Sequence, residues 1–174
     1  MQRLLLGLSV CLVSAPAFGD EMTVKDVHLC CGACVKAVEK ALGKADGVSE
    51  LKIDKDAGTV VFQVDDRKMA RAAMRRLANA GFAGEATLGG KKVALPKIKV
   101  EEGTTSNSLE ITDVHLCCGG CVTAVQDALK EVKGVSKVEG DTKTGVVKVE
   151  GQDVNVRAVI ESLRKAGFNG KPSE

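Results

Sequence analysis

The segment DVHLCCGACV at 26–35 returns at 113–122 as DVHLCCGGCV, nine of ten residues identical at an offset of 87. Such a duplication divides the chain before any secondary structure is assigned, because each copy must carry its own supersecondary unit. It also sets a constraint on stability. Two units of roughly 65 residues each stand near the lower size limit for an independent core, so a bound metal or a disulfide in each would contribute usefully.

The hydrophobic period changes in the same order in both copies. In the first, MTVKDVHL is rich in β-branched residues and predicts a strand, and Val35, Val38, Ala41 and Leu42 follow at helical spacing. GVSELKID and GTVVFQVDD alternate apolar and polar positions and predict two strands joined by a turn over Asp54 to Gly58. Ala70, Ala73, Met74 and Leu77 then share one helical face, Gly81 stops the helix, and Phe82 enters a last short strand. The second copy repeats the series with Val122, Val125 and Leu129 on its first helix and Val156, Val159, Ile160 and Leu163 on its second. Little chain is left there for a final strand before Glu174. The order is βαββαβ twice. GGKKVALPKIKVEEGTTSNS between the copies, with its glycines, proline and polar run, predicts a linker with an extended middle.

Composition narrows the partners. A chain 44% hydrophobic and 28% charged is that of a folded globular protein, and 25 basic against 23 acidic residues leave no excess to hold a phosphate backbone. There is no Trp or Tyr to stack on bases, so nucleic acid is excluded as the expected partner. The first residues place Arg3 before the apolar run Leu4 to Val13, then small residues, Pro16 and the acidic pair Asp20 and Glu21. This is the layout of a secretory signal peptide, too short in its apolar part to span a bilayer. The expected organisation is a signal over 1–19, a first domain over 20–88, a linker over 89–108 and a second domain over 109–174. Export to a periplasmic or extracellular space follows as an expectation, with no membrane attachment once the signal is removed. Cys11 leaves with it, and six of the seven cysteines remain, three per copy.

Residues i and i+3 across the start of a helix face the same way, so the sulfurs of Cys31 and Cys34, and of Cys118 and Cys121, can converge on one ion. The unpaired amides and dipole of a helix start favour a thiolate there, and Gly32 leaves the loop open to close approach. Thiolates select Cu(I), Zn(II) and heavier thiophilic ions over Mg(II) or Ca(II). His28 and Cys30, with His115 and Cys117, offer further donors, and three Cys with one His is a known tetrahedral zinc set. Adjacent positions on an extended segment face opposite sides, which separates Cys30 from Cys31 and puts His28 on the face of Cys30. The residues alone leave both arrangements open.

An order of βαββαβ with CxxC between the first strand and first helix resembles the heavy-metal-associated domain. That family includes copper chaperones, periplasmic mercury-binding proteins and the N-terminal modules of metal-pumping ATPases. The resemblance covers both copies and implies two tandem ferredoxin-like α+β domains. It matches Cys31 and Cys34, and Cys118 and Cys121, to the family's metal-binding pair. His28 and His115 stand where the family usually has Gly, Leu29 and Leu116 replace the Met that packs under the loop, and Cys30 and Cys117 fill a variable place. The expected function is a non-enzymatic, exported soft-metal-binding protein that captures, chaperones or sequesters its ion. Cu(I) or Zn(II) is the expected cargo, with Hg(II) as a third candidate, and a metal-transporting or metal-receiving protein is the expected partner. Two other readings compete. A thiol–disulfide oxidoreductase would use the same CxxC pairs at helix starts. A disulfide framework would oxidise all six thiols in an exported protein. A further variant has the CxxC pairs of both halves building one site together.

Overall fold

The computed structural model describes residues 19–173. The signal segment expected over 1–19 thus lies outside the described residues apart from Gly19. The first copy folds as β1 (Asp20–Lys25), α1 (Gly32–Leu42), β2 (Val48–Asp54), β3 (Thr59–Val64), α2 (Arg67–Asn79) and β4 (Glu85–Leu88), followed by β5 (Lys91–Val93). The second folds as β6 (Thr105–Thr112), α3 (Gly119–Leu129), β7 (Val135–Asp141), β8 (Val146–Asn155), α4 (Val156–Lys165) and β9 (Lys171–Pro172). The sheets are ordered β2-β3-β1-β4-β5 and β7-β8-β6-β9 and every pairing is antiparallel. These are tandem ferredoxin-like α+β domains, as the repeated βαββαβ pattern predicts.

Each domain buries one face of its sheet under its two helices. Met22 and Val24 of β1 and Val60, Phe62 and Val64 of β3 are almost fully buried, facing Val38 and Leu42 of α1 and Ala70, Ala73, Met74 and Leu77 of α2. The buried stripe of α1 begins at Cys34, not at Val35 as helical spacing suggested, and that of α3 begins at Cys121 in place of Val122. A buried cysteine packs as a small hydrophobe and completes the i, i+4, i+8 stripe. One candidate ligand in each loop is therefore anchored in the core. Asp66 caps α2 by accepting from the Met69 amide at 2.7 Å, and Asn155 caps α4 through the Ala158 amide at 2.9 Å.

The segment 89–108 is only partly a linker. Lys91–Val93 pairs with β4, from Ala86↔Val93 to Leu88↔Lys91, and extends the first sheet to five strands. Gly89 and Gly90, at φ 53° and 78°, form the two-residue turn whose left-handed backbone matches strand twist. Beyond it Leu95, Ile98 and Val100 are half-buried against the core, Arg157 donates to the Val100 carbonyl, and the second sheet begins at Thr105. The last strand, β9, spans two residues, with Lys171 paired to Thr112 and Pro172 to Ile111 of β6.

The two domains meet through a pseudo-symmetric clasp. Phe82 and Phe168 form an isolated antiparallel bridge. Ala83 donates its amide to the Gly167 carbonyl at 2.9 Å, and Asn169 donates to the Gly81 carbonyl at 2.9 Å. The Asn169 side chain, 4% exposed, also donates to the Ala78 carbonyl at 2.9 Å and accepts from Arg164. His28 stacks on Phe168 with ring centres 4.3 Å apart, and His115 stacks on Phe82 at 4.5 Å. Gly81 and Gly167 have φ of 88° and 84°, and a Cβ there would lie 2.3 Å from the His115 amide and 2.4 Å from the His28 amide. No side chain fits at either position.

Candidate metal centre

Each CCxxC loop leaves its first strand through an Asp in left-handed backbone, Asp26 at φ 58° and Asp113 at φ 59°. Asp tolerates that conformation better than most residues, which accounts for its place in both copies. The chain then runs extended with Val27 and Leu29 buried, so His28 and Cys30 share the other face and look toward the second domain. Val114 and Leu116 do the same for His115 and Cys117. Leu29 and Leu116, 5% and 4% exposed, pack beneath their loops.

The clasp sets the two loops opposite each other and all six cysteines converge. Cys30 Sγ lies 3.4 Å from Cys121 Sγ and 3.6 Å from Cys118 Sγ, across the domain boundary. Cys117 Sγ lies 3.3 Å from Cys31 Sγ and 3.5 Å from Cys34 Sγ in the mirrored direction. Within the loops, Cys30 and Cys34 are 3.7 Å apart, Cys31 and Cys34 3.9 Å, Cys117 and Cys121 3.6 Å, and Cys118 and Cys121 4.0 Å. All six are free thiols. Two groups have all their sulfurs within 4.8 Å of one another: Cys30, Cys31, Cys34 and Cys117, and Cys30, Cys117, Cys118 and Cys121. For a metal–sulfur bond of about 2.3 Å the edge of a tetrahedron is about 3.8 Å, so either group can close around one ion with little movement.

The thiols differ in acidity for local reasons. Cys31 is the N-cap of α1; its sulfur makes no capping hydrogen bond at full geometry, yet the nearby Cys34 amide, then the Cys117 thiol and the Ala33 amide, hold it down to about 6. Cys118 at the start of α3 is lowered in the same way, first by the Cys121 amide and then by the Cys30 thiol. Cys30 and Cys117 are pushed strongly upward by desolvation of their sulfurs, followed by hydrogen bonds to neighbouring thiols. Cys30 is exposed as a residue, but its sulfur is the part turned into the cluster. Burial raises Cys34.

The structure thus gathers the six predicted cysteines and leaves His28 and His115 outside both sulfur groups. Their rings lie on Phe168 and Phe82 of the opposite domain, burial lowers their pKa, and each Nε2 is buried without a hydrogen-bond partner among the described residues. They act in this geometry as interface residues. Spacing alone did not single out the residues that receive them. The signal is the second repeated stretch, AGFAG at 80–84 and AGFNG at 166–170, whose glycines and phenylalanines build the clasp.

Two α+β domains closed over a shared set of free thiols define a duplicated soft-metal-binding module. The family model of the heavy-metal-associated domain matches residues 22–82 and 111–169, and the chain belongs to that family. It is 28% identical over 149 residues to Copper-transporting ATPase 2 of Rhizobium meliloti, an alignment covering 83% of this chain but 16% of the ATPase. It is 42% identical over 45 residues to the copper chaperone CopZ of Staphylococcus aureus, covering 26% of this chain and 66% of the chaperone. The chain thus spans about a sixth of the ATPase it matches. Among solved structures, oxidized MerP from Ralstonia metallidurans aligns over 38% of this chain and 96% of its own, at 22% identity and a TM-score of 0.36. No helix among the described residues is long and apolar enough to cross a membrane.

Proposed function

We propose that the protein is an exported, non-enzymatic carrier that captures a soft d10 metal ion, Cu(I) or Zn(II), on its clustered thiols and passes it to a metal-receiving protein. The observation that carries this reading is the convergence of six free cysteines, from two loops 87 residues apart, into one group. The names of the relatives support copper, and the arginine-led apolar run before Asp20 supports export. Transfer would proceed by ligand exchange, an incoming thiolate replacing one sulfur while the others hold the ion. Cys31 and Cys118, the partly exposed thiols at the helix starts whose pKa is lowered, offer the points of entry. Each thiol that binds releases its proton to solvent, so uptake weakens as pH falls. Dialysis of the reduced protein against Cu(I) or Zn(II), followed by metal analysis, should show uptake that alkylation abolishes; uptake unchanged by alkylation overturns the reading. Recovery from the periplasm or medium with Asp20 as first residue is the expected result for export.

A second reading, thiol–disulfide exchange, rests on the lowered Cys31 pKa of about 6. Metal-free protein that reduces insulin disulfides catalytically would favour it over the carrier.

A further inference from the structure

We infer that the six cysteines form one binuclear site, in which Cys30 and Cys117 each bridge two metal ions while Cys31 and Cys34 end one side and Cys118 and Cys121 the other. The inference rests on the soft-metal reading above and adds to it the number of ions and the part of each thiol. Cys30 and Cys117 are the two residues common to both groups of mutually close sulfurs. Two separate four-coordinate ions would need eight sulfurs, and the described chain has six. Sharing two of them completes both sets, as two tetrahedra joined along one edge.

The sulfur contacts follow that plan. Each bridging sulfur touches the terminal pair of the opposite domain, Cys30 at 3.4 and 3.6 Å and Cys117 at 3.3 and 3.5 Å. Each also lies near the buried terminal cysteine of its own domain, at 3.7 Å for Cys30 and 3.6 Å for Cys117. All these lie near the edge of about 3.8 Å required by four-coordinate metal–sulfur geometry, and short of the span of about 4.6 Å for two sulfurs placed in line about an ion. Each ion therefore takes three sulfurs from one domain and one from the other. The doublet Cys-Cys, which a single CxxC site does not need, supplies the bridge in each copy. A divalent d10 ion such as Zn(II) suits four sulfurs at these spacings.

The test loads reduced full chain with Zn(II) and reads stoichiometry by native mass spectrometry and coordination by zinc X-ray absorption. The expected result is two ions per chain, about four sulfurs per zinc, and a zinc–zinc distance of about 3 Å as edge-sharing tetrahedra require. In C30A/C117A the zinc–zinc distance should vanish and the sulfurs per zinc fall to about two. Neither residue belongs to the buried core, so that variant keeps the fold, and C30S alone serves as a milder check. One ion per chain overturns the bridge, as do two ions with no zinc–zinc distance or a C30A/C117A variant with unchanged coordination. No thiol-dependent zinc or copper at all would instead overturn the underlying metal-binding reading.

Discussion

Replacing Gly167 by Ala should open the clasp that brings the sulfurs together. The new Cβ would stand 2.4 Å from the His28 amide, 2.6 Å from the Asp26 carbonyl oxygen and 3.0 Å from the Val27 carbonyl carbon, all backbone of the opposite domain. Ordinary contact lies at about 3.5 Å, so the domains must part by about 1 Å on that side. The separation lengthens the 2.9 Å bond from the Ala83 amide to Gly167 and unstacks His28 from Phe168. A hydrogen bond of about 1 kcal/mol and a ring pair of similar size give a loss of about 2 kcal/mol in docking, roughly 30-fold in the open population. The left-handed backbone adds its own cost of about 1–2 kcal/mol to folding. Gly90→Ala separates the two terms, because Gly90 has φ 78° and nothing within 4 Å of a Cβ. Hydrogen exchange of the Asn169 amide, bonded to Gly81 across the boundary, reads the open population. It should quicken about 30-fold in G167A and stay unchanged in G90A. Equal protection of Asn169 in G167A and wild type would refute the argument.

Other outcomes follow from the same contacts. In metal-free protein at pH 7, iodoacetamide should label Cys31 well before Cys30 or Cys117, because Cys31 is held down to about 6 and the other two are pushed up; equal rates by peptide mass analysis would contradict this. The rate at Cys31 should fall as pH is lowered through about 6. His28 and His115 are lowered from an ordinary value of 6.5, so their interface is fully stable above that pH and weakens as pH falls from 6.5 through the lowered values, which Asn169 exchange at pH 7.5 and 5.5 would register. Phe168→Ala, at a site with 0% exposure, should cost about 3–5 kcal/mol in denaturant unfolding. Asp66→Ala should cost about 1 kcal/mol through the lost Met69 cap, with metal uptake unchanged.

The fold was legible because its signals are local. Alternation in β3 and the stripes of α2 and α4 face the core as their periods predict, and each copy of the duplication carries the same βαββαβ order. Two local features read differently in the sequence and in the fold, for physical reasons. Gly89-Gly90 is both linker composition and a hairpin turn, and only the partner strand decides between them. A cysteine in a ligand-rich loop reads as a ligand, yet Cys34 and Cys121 also begin the buried stripes. The site itself was half legible. Spacing shows that Cys31 and Cys34 can meet, and alternation puts His28 with Cys30, but what that face meets depends on the second domain. No periodicity within one copy reports a contact between residues 86 or 88 positions apart.

The clasp has two equivalent halves, and this matters for chemistry. A single contact between two small domains would leave rotation about it free, and sulfurs a few ångströms away would sample many separations. His28 on Phe168 and His115 on Phe82 are placed on either side of the Phe82↔Phe168 bridge, and together they fix that rotation. The covalent connection makes docking intramolecular, so a modest interface suffices to keep it closed. Because Gly81 and Gly167 each admit the backbone that carries the other domain's histidine, the residue two positions on, Cys117 or Cys30, is delivered to the opposite CxxC pair. The histidines thus serve the thiol cluster by fixing the approach of the loops, and substituting either with Ala removes no sulfur yet should loosen the cross-domain sulfur contacts, read as faster exchange of the Asn169 amide.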